Sequence, residues 1–343
     1  MPTAPELRRI LGRLPLTLVV SSVVIAACSS GGGSSSGSTR PTSTTRPAPA
    51  TTRASTPVAP PPGNLLQSHE PPLPAAVQEG AAAAVGTNLY VAGGYDTARN
   101  SVSNVWVFNG SSWRAAPSSP IAVNHPGMAA IGPDVYLVGG FTPQGATDRA
   151  FVLRPGAAAW QEISSMRRAR GAAAVLSIGG SLLAIGGRDG DTQVAVPERY
   201  DPSASRWSDL APMPAPRNHL AGYVSGRLAC VAGGRTPSTS AAIDCLDTAT
   251  GMWQTLASLP TPTSGAAAAQ LGDLTFVAGG EPSDESRIVD LVQILRGGSW
   301  SSQPMLVPRH GTAFAMYQGS LWACGGATSP GFHAVADCTS FGR

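Results

Sequence analysis

The sequence contains no lysine, and this absence limits how its charge can act. All 23 basic residues are arginines, they face 20 acidic residues, and charged residues make up 13% of the chain. Residues 65–343 hold 17 of the arginines and 19 of the acids, which gives this region a net charge of −2. Proteins that bind nucleic acid usually carry a basic stripe or a strongly basic domain. We therefore expect no nucleic-acid partner.

A hydrophobic run long enough to span a membrane is also missing. The apolar stretch at residues 14–25 has twelve residues, whereas a membrane-spanning helix needs roughly 20. Arginines at positions 8, 9 and 13 precede it, and Ala26-Ala27-Cys28 follows it, an ending that resembles the lipobox of a bacterial lipoprotein. The pattern predicts a signal peptide at 1–27 and lipidation of Cys28. An ordinary signal peptide with an incidental cysteine is the alternative.

The segment that follows Cys28 has little to bury. Residues 29–64 are almost entirely Ser, Thr, Gly, Pro and Ala. Such a composition cannot offset the entropy lost on ordering, so a disordered tether is expected at 28–64. We expect membrane contact through the lipid alone, with an extracytoplasmic, membrane-anchored domain at 65–343.

Two markers repeat with one period through residues 65–343. Glycine doublets begin at positions 93, 139, 186, 233, 279 and 325, with spacings of 46 or 47 residues. A tryptophan follows the second glycine of the first five doublets by 19 or 20 positions. Short apolar runs such as residues 89–92 and 274–278 lead into the doublets. The pattern predicts repeated units of four short strands, in sheets that are buried on both faces.

The third unit has the most distinctive sequence. Tyr200-Asp201-Pro202 precedes Trp207, and Met213-Pro214 with Arg217 follows it. This order resembles a Kelch repeat, and the resemblance covers roughly residues 65–343. It implies an all-β fold, a six-bladed Kelch-like β-propeller with four-stranded blades around a central channel. The glycines and tryptophans are interpreted as scaffold.

The ring predicted in this way needs a strand from the N-terminal side to close. Only 17 residues follow Gly326, so the last blade lacks its outer strand. Leu73-Pro74 matches Leu259-Pro260, and this register puts Gln67 in the place of a sixth tryptophan. The sequence predicts that this segment pairs with a strand at 334–340 and removes the exposed sheet edges. The seam is predicted to be the weakest interface.

Four cysteines remain once Cys28 is assigned to the lipid. Cys230 and Cys324 each precede a glycine doublet, and Cys245 and Cys338 each lie on the following strand. Four cysteines allow three pairings. The repeated placement favours Cys230–Cys245 and Cys324–Cys338. Metal binding by these cysteines is the alternative, but no C-x-x-C motif supports it.

The candidate ligand-binding residues are cationic groups that recur where the innermost strands begin. Counted back from a doublet, arginines recur at 16 residues and histidines at 14 or 15, and they are Arg170, Arg217, Arg309, His125, His219 and His310. They could ring one mouth of the channel, where arginine suits a carboxylate or a phosphate. The alternative is that the arginines hydrogen-bond within the scaffold, as in Kelch-like repeats, and the histidines satisfy loop carbonyls. No metal site and no cofactor is predicted.

Three functions fit these observations. The leading hypothesis is a monomeric, membrane-anchored binding module for a protein, a glycan or a small anionic ligand. The alternatives are a carbohydrate-active enzyme that resembles the sialic-acid mutarotases, which act on an anionic sugar through arginine and acidic side chains, and a structural component of the cell envelope. An enzyme should bring an acid and an arginine together at the channel mouth. A binding module should expose an aromatic or apolar patch. No catalytic residue is assigned.

Overall fold

The computed structural model describes residues 64–342, and every regular element among them is a β-strand. The predicted signal peptide, Cys28 and the tether up to residue 63 lie outside the described residues. Within the described range, no helix is long and apolar enough to cross a membrane.

The strands of the first half of the domain are, in chain order, β1 (Leu66–Glu70), β2 (Ala81–Val85), β3 (Asn88–Ala92), β4 (Val105–Phe108), β5 (Trp113–Ala115), β6 (Gly127–Ile131), β7 (Asp134–Val138), β8 (Phe141–Thr142), β9 (Gly145–Ala146), β10 (Ala150–Leu153), β11 (Gln161–Ile163), β12 (Ala174–Ile178), β13 (Ser181–Ile185), β14 (Arg188–Asp189) and β15 (Thr192–Gln193). The strands of the second half are β16 (Glu198–Asp201), β17 (Arg206–Asp209), β18 (Ala221–Ser225), β19 (Leu228–Ala232), β20 (Ile243–Asp247), β21 (Trp253–Thr255), β22 (Ala267–Leu271), β23 (Leu274–Ala278), β24 (Leu291–Arg296), β25 (Ser299–Pro304), β26 (Ala313–Tyr317), β27 (Ser320–Cys324) and β28 (Cys338–Gly342).

Six four-stranded antiparallel sheets form the six blades of a β-propeller, as the sequence predicts. The innermost strands are β2, β6, β12, β18, β22 and β26, and each contacts its neighbours around the central axis. The short hairpins β8–β9 and β14–β15 extend the loops that follow the second and third glycine doublets. Six hydrophobic clusters fill the six interfaces between blades, and buried tryptophans such as Trp160 and Trp207 belong to them. This placement confirms that the repeated tryptophans are scaffold.

The ring closes through the N-terminal strand. Strand β1 pairs with β28, with Leu66 opposite Gly342 and Glu70 opposite Cys338. The predicted closure is therefore confirmed, although the partner strand begins at Cys338 and not at residue 334. The Gln67 amide donates to the carbonyl oxygen of Pro304 at 2.8 Å and accepts from the Leu306 amide at 2.7 Å.

Gln67 takes over the polar contact of the missing tryptophan. In four other blades a tryptophan Nε1 donates to a carbonyl of the adjacent blade at 2.8 or 2.9 Å, in the pairs Trp113–Pro71, Trp160–Pro117, Trp207–Ser164 and Trp253–Ala211. The amide of Gln67 supplies the corresponding bond at the closing seam. That this seam is the weakest interface stays a prediction.

The glycine doublets mark where neighbouring blades approach most closely. At Gly233, whose φ is +63°, a Cβ atom would lie 2.3 Å from the Thr263 carbonyl oxygen of the next blade. The amide of Gly234 donates to that same oxygen at 2.9 Å. A side chain at this position would therefore break the contact between blades, and the doublet is needed for packing.

Both favoured disulfides are present. Cys230 lies directly opposite Cys245, and Cys324 lies directly opposite Cys338, each pair on neighbouring antiparallel strands of one blade. The repeated placement of the cysteines relative to the doublets therefore predicted the pairing correctly.

Candidate functional site

Six residues, one at the entrance to each innermost strand, form a closed ring around the axis. Each adopts a left-handed backbone conformation with φ between +49° and +64°, and each backbone N–H donates to the carbonyl of the preceding member at 2.7 to 3.0 Å. The members of this axial ring are Glu79, His125, Ala172, His219, Gly265 and Gly311. The ring links all six blades at one mouth of the channel.

Three members of the axial ring carry polar side chains where the backbone favours glycine. Glu79, His125 and His219 have φ values of +58°, +49° and +54°, while two equivalent positions are occupied by glycine. A left-handed conformation costs a residue with a side chain about 1–2 kcal/mol. Such local strain clusters at functional sites, because selection for stability alone would favour glycine there.

The three polar side chains converge on the axis. The Nε2 atoms of His125 and His219 lie 3.1 Å apart, and Glu79 Oε2 lies 3.3 Å from His125 Nε2. One ligand-type atom from each of the three residues lies within 4.8 Å of the other two, the only such group of three or more His, Cys, Asp and Glu residues in the described part of the chain. Any metal ion bound near the axis would meet these atoms first.

Each histidine is oriented by the asparagine that precedes it. Asn124 Oδ1 lies 2.6 Å from His125 Nδ1, and Asn218 Oδ1 contacts His219 Nδ1 in the same way. The Asn124 amide nitrogen donates to the Phe141 carbonyl oxygen at 3.2 Å and to Ser101 Oγ at 2.8 Å, which fixes Oδ1 toward the imidazole. Since Oδ1 can only accept, His125 Nδ1 carries the hydrogen and Nε2 presents a lone pair to the axis.

A second ring of side chains comes from the residues directly after the glycine doublets. Each of these residues pairs through its backbone with the residue just before an axial-ring member. The members of the second ring are Tyr95, Phe141, Arg188, Arg235, Glu281 and Ala327. The loops after the doublets and the starts of the innermost strands therefore build the site together.

The charged half of the site is centred on Arg235. Its guanidinium group lies 3.3 Å from His219 Nε2, 3.8 Å from Glu281 and 3.5 Å from Glu285. On the other side of Glu281, His310 Nδ1 lies 3.4 Å from the carboxylate. Acid, arginine and histidine side chains thus meet at one mouth of the channel, which is the arrangement that the enzyme hypothesis requires.

The aromatic half of the site surrounds His125. The rings of Tyr95 and Phe141 lie edge-on to the imidazole, at centroid distances of 5.9 and 5.5 Å. The Arg188 guanidinium lies 4.9 Å from the Phe141 ring, and the Arg99 guanidinium lies 4.6 Å from the ring of Phe332. Arg188 forms no ion pair within residues 64–342, so its charge is available to a ligand.

Burial shifts the protonation of the carboxyl groups in the site. Desolvation, reinforced by the charge of Glu281, raises the pKa of Glu79 to about 8. Desolvation, with the charge of Glu285, raises the pKa of Glu281 to about 7. Burial also lowers the pKa of His125 and His219, and Arg235 adds to this effect. At neutral pH the site therefore holds neutral imidazoles beside a carboxyl group that can exchange a proton.

The three arginines predicted at the channel mouth lie inside the blades. Arg170, Arg217 and Arg309 are each 1% exposed. Arg170 pairs with Glu198, Arg217 pairs with Asp244 at 2.7 Å, and Arg309 donates to the carbonyls of Gly325 and Asp337. The prediction that these arginines bind a ligand is wrong, because their donors are spent on the scaffold, as the alternative interpretation held.

The predicted histidines do meet. His125 and His219 are members of the axial ring, while His310 precedes the ring member Gly311 and contacts the second ring through Glu281. Sequence reasoning missed Glu79, Arg188 and Arg235. A count of 14 residues back from every doublet gives the six axial-ring positions, and the residue after each doublet gives the second ring.

The channel continues inward from the axial ring. A cavity of about 80 Å³ lies directly inside it, bordered by the axial-ring residues and by Pro126, Leu220 and Phe314. A wider cavity of about 360 Å³ follows between the innermost strands, where small residues such as Ala83, Ala129 and Gly222 line the wall. The polar groups therefore sit at the constriction of an otherwise mostly apolar channel.

Comparisons with known proteins agree with this architecture. The model of the Kelch motif matches residues 79–120 and 169–214. Kelch-like protein 35 of Mus musculus is 30% identical over 90 residues, which span 26% of this chain and 16% of that protein. Beta-scruin of Limulus polyphemus is 31% identical over 100 residues, which span 29% of this chain and 11% of that protein. The chain thus matches less than a fifth of the length of either relative.

The solved structure of YjhT superimposes with a TM-score of 0.69 at 16% sequence identity. The superposition covers 79% of this chain and 96% of YjhT. At this identity the likeness supports the fold and carries no information about the ligand.

Proposed function

Since this chain belongs to the Kelch-repeat family, we propose that it is a binding propeller that holds a small organic anion at the mouth of its channel. The observation that carries the proposal is the convergence of Arg188 and Arg235 with aromatic and acidic side chains on the axial ring. Ligand sites commonly combine an apolar wall with a few convergent polar groups. Here the wall is aromatic and the polar groups carry both signs of charge.

The two arginines differ in how free they are to bind. Arg235 shares its charge with Glu281 and Glu285, whereas Arg188 donates only to the backbone oxygen of Gly190 and lies against Phe141. A guanidinium group on an aromatic face suits a carboxylate or a phosphate. Arg188 is therefore the expected anchor for the anionic group.

The remaining polar groups suit hydroxyl groups on the same ligand. Glu281 and His219 can accept hydrogen bonds, and Arg235 can donate them. The rings of Tyr95 and Phe141 offer apolar edges beside them. A sugar acid combines these features, a carboxylate with several hydroxyl groups and apolar C–H faces.

Isothermal titration of the purified protein tests this proposal. We expect sugar acids to bind and the matching neutral sugars to bind at least tenfold more weakly. Arg188→Ala should weaken binding by about 10- to 100-fold, the loss typical of hydrogen bonds to a charged group. Arg149→Ala is the matched control, because that arginine also lies 4.9 Å from a phenylalanine ring but on the outer part of a blade. Equal affinity for acids and neutral sugars would refute the assignment.

Catalysis on the bound ligand is the second candidate, and Glu79 with His125 favours it. Their side chains lie 3.3 Å apart, and a carboxyl group whose pKa is raised to about 8 can donate and recover a proton near neutral pH. Sialic-acid mutarotases, which the family resemblance brings to mind, act on an anionic sugar. Nuclear magnetic resonance of the sugar acid that binds separates the two candidates, because an enzyme accelerates anomer exchange and Glu79→Gln abolishes the acceleration.

We further propose that the propeller is displayed outside the cytoplasm on a lipidated Cys28. Two features support this placement: the lipobox-like ending at Ala26-Ala27-Cys28, and two disulfides, which persist in oxidising compartments. We expect the full chain to fractionate with membranes when it is expressed in a bacterium, and Cys28→Ala to release it. A membrane fraction unchanged by Cys28→Ala would rule out the anchor.

A further inference from the structure

We propose that the axial ring binds one divalent transition-metal ion of the zinc class, with His125 Nε2, His219 Nε2 and a Glu79 carboxylate oxygen as its ligands. The inference goes beyond the proposed function and does not depend on it, because the ion can be measured without any organic ligand. Sequence spacing did not indicate the site, since the three ligands come from three different blades.

The geometry of the three atoms fits such an ion. The Nε2 atoms lie 3.1 Å apart, and Glu79 Oε2 lies 3.3 Å from His125 Nε2. Two ligands bound tetrahedrally at about 2.0–2.1 Å from zinc are separated by about 3.3 Å. The side chains therefore already stand at the separations that a shared metal ion would impose.

The orientation of the histidines points to the same ion. The Asn124 oxygen fixes the hydrogen of His125 on Nδ1, and Asn218 faces His219 Nδ1 in the same way. Both Nε2 atoms then carry lone pairs, and neither nitrogen has a hydrogen to offer the other across 3.1 Å. Imidazole ligands of metals are held in this way, with the other ring nitrogen hydrogen-bonded to an outer partner.

The backbone gives a third and independent argument. His125, His219 and Glu79 occupy left-handed positions whose counterparts in two other blades are Gly265 and Gly311. The chain therefore keeps three strained residues at the positions whose side chains meet on the axis. Two imidazoles with one carboxylate form the donor set of zinc sites that leave a further position open. That position would accept water or the anionic group of the proposed ligand.

Arg235 is the one group that competes for the same lone pair. Its guanidinium lies 3.3 Å from His219 Nε2 and is also paired with Glu281 and Glu285. These two carboxylates can hold the arginine when the ion binds. Removal of its charge by Arg235→Gln should therefore tighten metal binding.

Titration of tag-free, chelator-treated protein with zinc chloride tests the proposal. We expect one zinc ion per chain and no binding of magnesium or calcium, which prefer all-oxygen ligand sets. Cobalt(II) bound in place of zinc should show the visible absorption of a low-coordinate nitrogen and oxygen site. Failure of the wild-type protein to take up zinc would overturn the proposal, whether or not a sugar acid binds.

The variants use the glycine found at equivalent ring positions, so the left-handed backbone remains favourable. His125→Gly and His219→Gly should each weaken zinc binding by at least about 100-fold, and Asn218→Ala, which removes only the orienting oxygen, by about 10- to 100-fold. His69→Ala is the matched control, because His69 lies exposed on β1. Zinc affinity that is unchanged in both glycine variants would show that any zinc binds elsewhere.

Discussion

Arg217→Ala is expected to lower the free energy of unfolding by about 3–5 kcal/mol, because it leaves a buried carboxylate without its counter-charge. The Arg217 side chain is 1% exposed and its partner Asp244 is 3% exposed, with 2.7 Å between nitrogen and oxygen. The same guanidinium donates to the carbonyl oxygens of Gly233 and Ala215. Denaturant unfolding at neutral pH measures the loss.

Two variants separate the ion pair from a general effect of removing arginine. Arg149→Ala breaks an exposed pair with Glu162 and should change stability by no more than about 1 kcal/mol. Arg217→Met combined with Asp244→Leu removes both charges and should recover most of the loss. If Arg217→Ala costs less than Arg149→Ala, the buried pair does not stabilise the fourth blade.

Removing the disulfide Cys230–Cys245 is expected to cost about 3 kcal/mol, and removing Cys324–Cys338 should cost about the same. The bridges close loops with sequence separations of 15 and 14 residues, and cross-links of this span restrict the unfolded chain by that amount in the entropy model. Paired Cys→Ala variants, unfolded in denaturant, measure each loss.

The two losses should add, because the bridges belong to different blades and share no contacts. The variant that lacks all four of these cysteines should therefore be less stable by about 6 kcal/mol. A fourfold variant as stable as either paired variant would show that the two bridges restrict the same unfolded states.

Most of the fold could be predicted from the sequence because its determinants repeat. A doublet such as Gly233-Gly234 is required wherever one blade meets the carbonyl of the next, so the period of the blades is visible along the chain. The cysteine pairing was predictable for the same reason. The closing strand was found from the register of Leu73-Pro74, although Gln67 shares no sequence signal with the tryptophans whose hydrogen bond it replaces.

The site was only half predictable, because it depends on side-chain direction. Arg217 and His219 stand two residues apart, yet one is buried in its blade and the other reaches the axis. The left-handed turn at His219 separates the two directions, and no residue type at that position announces it. Glu79 was missed because its partner His125 lies on another blade, so no local spacing links them.

The central claim is that the axial ring carries function and not stability, and one measurement tests it most directly. The free energy of unfolding of a variant with Glu79, His125 and His219 all replaced by glycine should be compared with that of the wild-type protein, both in the presence of a chelator. The account predicts that the variant lies within about 1 kcal/mol of the wild type or above it, since glycine relieves the left-handed strain. A loss of about 3 kcal/mol or more, as expected for Arg217→Ala, would show that the three side chains are scaffold and would contradict the account.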